Sequence, residues 1–80
     1  MNHMEVLDCW CSDNGYSYAA FDRAIGFSLG YMSAIVNNQR RITDRVALRI
    51  EAMTGLDAED LLLRQTKWHL KNTRSAKASR

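Results

Sequence analysis

Apolar residues recur along the chain at three- and four-residue intervals, the spacing that lines up one face of an α-helix. Met4, Leu7, Trp10 and Cys11 follow it and predict a first helix from about His3 to Ser12. Asp13-Asn14-Gly15 ends that helix, with Gly15 suited to the left-handed position past its last turn. Ser17 stands where an N-cap hydroxyl belongs, ahead of a short helix from Tyr18 to Ile25 that Gly26 stops. Ser28 is the expected cap of a third helix, Leu29 to about Asn37, with Met32, Ile35 and Val36 facing inward. Asn37-Asn38 closes it, because Asn tolerates left-handed backbone. Thr43 caps a fourth helix, whose Val46, Ala47, Ile50 and Met53 share a face and whose end is Gly55. Asp57 opens a fifth, with Asp60 at the capping-box position and further acids suited to the positive end of the helix dipole. Leu61, Leu62, Gln65, Trp68 and His69 form a stripe along it.

No segment alternates apolar and polar residues with period two, and proline is absent, so the expected fold class is all-α, a compact five-helix bundle. The pattern divides the chain into one domain, residues 1–72, and a basic tail, residues 73–80, which has little to bury and is expected to be disordered. The second connection is the informative one. A short helix, a glycine, two further residues and a second helix is the spacing of a helix-turn-helix, with Gly26 permitting the sharp turn and Ile25, Met32 and Ile35 packing behind it. A domain of 80 residues buries only about 60% of the surface its unfolded chain exposes, so association with a second copy is a natural source of further burial.

Composition changes this picture little: 46% hydrophobic and 25% charged residues are ordinary for a globular domain. Charge distribution changes it more. Residues 1–38 carry Glu5, Asp8, Asp13 and Asp22 against Arg23, a balance of −3. Residues 39–54 carry Arg40, Arg41, Arg45 and Arg49 against Asp44 and Glu51, a balance of +2, and residues 55–80 add +3. The basic second half favours an anionic partner such as nucleic acid. No apolar run approaches the roughly 20 residues of a membrane span, and the first residues lack the basic and apolar regions of a signal peptide, so a cytoplasmic protein is expected. Cys9 and Cys11 are two apart, on opposite sides of a helix, and with His3 they make three donors where a structural zinc site needs four; no metal and no cofactor are expected. His3 and His69 lie near opposite ends of the chain, and no nucleophile, base and orienter stand together, so an enzyme is not expected.

The stretch YSYAAFDRAIGFSLGYMSAIVNNQRR, from Tyr16 to Arg41, resembles the lambda-repressor-like helix-turn-helix class. The stretch ITDRVALRIEAMTGLDAEDLLLRQ that follows is similar to the HigA-type antitoxins within that class, through Ile42, Thr43, Ala47, Leu48, Arg49, Gly55, Glu59, Leu62 and Gln65. The resemblance covers about Leu7 to Trp68. Three positions depart from it: Asp22 replaces a small residue against the recognition helix, Gly30 lies early in that helix, and Leu61 replaces an aromatic residue.

The resemblance implies a sequence-specific DNA-binding repressor, autoregulating and paired with a toxin that it silences. Its second motif helix would enter the major groove, with Ser28, Leu29, Gly30, Ser33 and Ala34 at base edges. That set lacks long bidentate donors, so DNA shape and half-site spacing are expected to carry more of the specificity; Leu29 or Ala34 suits a thymine methyl. Phosphate contacts are expected from Tyr18 and Tyr31, from Asn37, Asn38, Gln39, Arg40 and Arg41, and from Arg45 one turn on. Backbone amides at the starts of the two motif helices, beside Tyr18 and Ser28, are expected to help. A homodimer with recognition helices about 34 Å apart would bind a palindromic operator, with Leu61, Leu62, Gln65 and Trp68 as the dimer interface or, on the plainer reading, as part of the monomer core. Trp10, Phe21, Phe27 and Trp68 are expected in the core or at that interface rather than as stacking platforms for bases. Two other functions fit the same residues: a Cro-like regulator from a phage or mobile element with no toxin partner, and a protein-interaction module that retains only the helical fold.

Overall fold

Five α-helices follow one another along residues 1–78, which the structure, a computed structural model, describes: α1 His3–Asp13, α2 Tyr18–Ile25, α3 Tyr31–Val36, α4 Asp44–Thr54 and α5 Ala58–Ala78. No strand occurs among the described residues, and the all-α expectation holds. No helix among them is long and apolar enough to cross a membrane.

Side chains close most of the helix starts. The Asn2 carboxamide accepts the Glu5 N–H at 2.8 Å while the Glu5 carboxylate accepts the Asn2 N–H at 2.9 Å, a reciprocal capping box that the apolar pattern alone does not mark. Ser17 and Thr43 cap α2 and α4 as expected, accepting from Ala20 and Val46. Asp57 accepts from Asp60 at the start of α5, and the Asp60 carboxylate turns away to pair with Arg64 at 2.7 Å. Gly26 ends α2 at φ 83°, and its N–H bonds the Asp22 carbonyl. Asn38 is left-handed at φ 58°, as its place after α3 implied.

Two boundaries differ from the pattern. The Ser28 hydroxyl does not cap α3, which begins at Tyr31 rather than Leu29, with Gly30 at the cap position and φ 89°. Asp22, from the middle of α2, supplies the missing acceptor. Its two carboxylate oxygens take the Gly30 and Met32 N–H groups, each at 2.9 Å, and its side chain is 1% exposed. A buried carboxylate replaces the small residue of the resembling class because it serves as a cap from another helix. The second difference lies at the other end, where α5 continues through Thr73 as far as Ala78. Arg, Ala and Lys there are strong helix formers and no glycine or proline interrupts them, so the helix extends without an apolar stripe. The last part of the expected tail, residues 79–80, lies outside the described residues.

The core draws on every helix. Leu7 and Cys11 of α1 meet Phe21 of α2, Met32 and Ile35 of α3, Ala47 and Ile50 of α4, and Leu61 of α5. Packing runs α1 against α3 and α5, α2 against α3, and α4 against α5. Leu61 and Gln65, expected at a dimer interface, belong to the interior of the protomer instead. Leu61 is fully buried. Gln65 is 8% exposed because its carboxamide grips the linker before α4, accepting the Ile42 N–H at 2.6 Å and donating to the Ile42 carbonyl at 2.9 Å. Leu62 and Trp68 are half-buried, and the apolar side chains that α5 exposes are Leu63 and Leu70. The stripe faces the rest of the bundle, where α5 packs against both α4 and α1.

Charged residues of α4 tie the bundle together. Arg49 donates from Nη2 to the Ile25 carbonyl at 2.6 Å and lies 5.0 Å from the Phe27 ring centre. The cation thus sits at the negative end of the α2 dipole rather than beside Asp44 or Glu51. Glu51 accepts the Ala58 N–H at 2.9 Å and so supports the start of α5.

Candidate nucleic-acid interface

The segment from Gly26 to Tyr31 is a short turn held from behind. Phe21, Phe27 and Tyr31 form a run of aromatic contacts, with ring centres 6.4 Å and then 4.7 Å apart, and Trp10 meets Phe21 edge-on at 5.7 Å. Phe21 is in the core and Trp10 and Phe27 pack against it, in the place the sequence suggested. Arg49 braces the turn at Ile25 and Phe27, and Asp22 fixes it at Gly30 and Met32. With packing and hydrogen bonds both constraining it, the turn presents its outer residues in one arrangement.

Ser28, Leu29 and Gly30 are exposed, and Ser33, Ala34 and Tyr31 are half-buried on the same side. The Arg40 guanidinium stacks 4.8 Å above the Tyr31 ring, a cation–π contact that folds the loop after α3 back towards its start. Ser28, Leu29, Gly30, Tyr31, Ala34 and Arg40 thereby border one open hollow of about 300 Å³. Asn38, Gln39, Arg40, Arg41 and His69 border a second, of about 370 Å³. Arg45 is exposed on the first turn of α4. Arg40, Arg41 and Arg45 have no carboxylate partner, since the ion pair Arg64–Asp60 is the one among the described residues.

Two expected phosphate contacts are otherwise engaged. The Tyr18 hydroxyl donates to the Asp8 carboxylate, and that bond, with burial and the Asp8 charge, pushes its pKa up to about 12. A phosphate there would meet a carboxylate, so Tyr18 drops out of the set. Asn37 folds back onto α3, donating from Nδ2 to the Ser33 carbonyl at 2.8 Å and approaching its hydroxyl at 3.3 Å. Nor do the amides at the start of α3 await an anion, because Asp22 already occupies the Gly30 and Met32 N–H groups. What remains is a surface of hydroxyls, small and apolar side chains, and guanidinium groups beside them. Such a surface suits a polyanion whose edges carry both polar and methyl groups.

The histidines give a further correction. His3 and His69, distant in sequence, meet where α1 crosses α5, with ring centres 6.1 Å apart and Trp68 edge-on to both. Sequence distance between them says nothing of their separation in the fold. His3 Nδ1 and His69 Nε2 are buried without hydrogen-bond partners. Burial holds both rings below the ordinary histidine pKa, reinforced at His3 by His69 and at His69 by Arg41. The unfolded chain therefore binds protons that the fold excludes. Stability is expected to be full above pH of about 6.5 and to fall as the pH drops below it. Urea midpoints at pH 7.5 and 5.5 check this: His3→Leu is expected to flatten the difference, and an equal slope in the variant would refute the assignment. Cys11 is buried in the core, its thiol pKa raised by burial and then by Asp8 and Asp22, while Cys9 is exposed on the other side of α1. Compared with protein-family models and with curated proteins, the chain matches none of either.

Proposed function

We propose that this chain is a double-stranded DNA-binding transcriptional repressor that uses α2 and α3 as a helix-turn-helix, acts as a homodimer on a palindromic operator and works in the bacterial cytoplasm at the nucleoid. One observation carries the reading. A turn braced by Asp22 and Arg49 offers Ser28, Leu29 and Gly30 outward with Ser33 and Ala34 half-exposed beside them, and the guanidinium of Arg40, stacked on Tyr31, borders the same hollow as that turn. In a major groove the turn would meet base edges while Arg40, Arg41 and Arg45 met phosphates. The resemblance of the α4 and α5 segment to HigA-type antitoxins supports a finer form of the proposal, an autorepressor that also binds and silences a toxin. No enzymatic role and no cofactor belong to this reading.

A mobility-shift titration against the DNA upstream of the gene, at two salt concentrations, tests it. Saturable, salt-weakened binding with a dimer-sized footprint is the expected result, and no shift at low salt would overturn it. The double variant Arg40→Ala/Arg41→Ala is expected to weaken binding to all sequences alike and to lower the salt slope by about one unit for each phosphate no longer neutralised. Ser33→Ala is expected to change the ranking of sequences instead. An unchanged slope in the double variant would remove these arginines from the interface.

A further inference from the structure

Leu29 has no packing role in the fold. It is 77% exposed, more than any other large apolar residue in the described chain. Its backbone is nevertheless held, since its neighbour Gly30 is kept at φ 89° by the bond to Asp22 and the Tyr31 N–H bonds the Ser28 carbonyl at 3.1 Å. Small residues stand beside it on the open side of the hollow. Beyond its chain neighbours Leu29 and Tyr31, nothing lies within 4 Å of where a Gly30 side chain would begin, and Ala34 contributes a single methyl. The one long donor bordering the hollow, Arg40, lies over the Tyr31 ring. Ser28 and Ser33 are short and accept or donate to several bases alike.

An apolar tip on such a surface discriminates through the one apolar group that base pairs present in the major groove, the methyl on carbon 5 of a pyrimidine. We infer that Leu29 is a specificity-determining residue that recognises a C5-methyl pyrimidine, thymine or 5-methylcytosine, in each half-site. The inference rests on the DNA-binding reading above. Contact requires only that an exposed apolar side chain, carried on a braced backbone, press against the methyl and displace water from both. Removing one methyl from such a contact is expected to weaken binding about three- to fivefold.

The test starts from duplexes selected by the protein from a library randomised over a 20-base-pair window. In the best duplex each thymine is replaced in turn by uracil, which deletes the methyl and nothing else. One position per half-site is expected to lose three- to fivefold with the unaltered protein and to lose nothing further with Leu29→Ala. At that position cytosine is expected to bind weakly and 5-methylcytosine to regain affinity if the methyl alone is read; recovery with thymine only would assign the contact to thymine. Leu29 is exposed, so the variant is expected to keep its helical circular dichroism and its urea midpoint. Binding that is salt-dependent but indifferent to uracil at every position overturns the methyl contact and leaves the DNA-binding reading intact. A uracil effect that survives Leu29→Ala overturns the assignment to Leu29. Failure to bind any duplex at low salt overturns both.

Discussion

Asp22→Ala is expected to lower the unfolding free energy by about 3 kcal/mol, from the loss of two hydrogen bonds to a charged acceptor. The two amides fare differently. Gly30 is exposed and its N–H regains a bond to water, whereas Met32 is buried and its N–H is left without a partner. A chain of this length has roughly 4–12 kcal/mol in all, so the variant should unfold at markedly lower urea. Asp22→Asn keeps one carbonyl oxygen and one of the two bonds, and about half the loss is expected. Hydrogen exchange localises the effect: the Met32 amide should lose protection in the alanine variant before the amides of α4 do. A loss below about 0.5 kcal/mol, the scatter of surface substitutions, would mean that packing of Met32 and Ile35 holds α3 without the carboxylate.

Gln65→Leu is expected to cost a similar amount, about 3 kcal/mol, by a different route. Leucine fills nearly the same volume, so little of the effect is a cavity. What it removes is the clasp on Ile42, whose N–H and carbonyl are both buried and both bonded to the Gln65 carboxamide. Two backbone groups are left unsatisfied at once, each with a desolvation cost of about 1–3 kcal/mol. Ile42 follows Arg40 and Arg41 directly, so loosening it also loosens the loop that places those guanidiniums. Urea titration measures the stability change, and under the proposed DNA-binding function a salt titration of binding measures how far phosphate neutralisation falls with it. A variant as stable as the parent would show that the linker finds other partners when the clasp is gone.

Elements whose caps are local were legible in the chain. Ser17 with Gly26 and Thr43 with Gly55 bracket α2 and α4 at the residues where those helices start and stop. The start of α3 was not, because its acceptor comes from Asp22, eight residues before Gly30 and on another helix. Ser28 had the local chemistry of a cap and lost to a carboxylate that only the tertiary fold brings near. The end of α5 is hidden in the apolar pattern for the opposite reason, since helix propensity carries it past the last large apolar residue. At the site, the outward set from Ser28 to Ala34 could be read from helix order. The stacking of Arg40 on Tyr31 and the diversion of the Tyr18 hydroxyl to Asp8 could not, because each depends on which face meets which. The role of Gln65 divides in the same way: a stripe position shows that a residue faces inward but not whether it meets another copy or a backbone segment of its own chain.

The bond from Asp22 to Gly30 also bears on how this sequence can change over time. A side chain at position 30 would have room, but its backbone would be strained at φ 89°, and the strain is held in place by the carboxylate. An uncapped α3, conversely, would have no reason to keep a glycine there and would start better from a local cap at Ser28. The two positions form a heritable pair: a substitution at one alters the selective value of the other, and a lineage passing from this arrangement to the ordinary one must cross an intermediate less fit to fold than either.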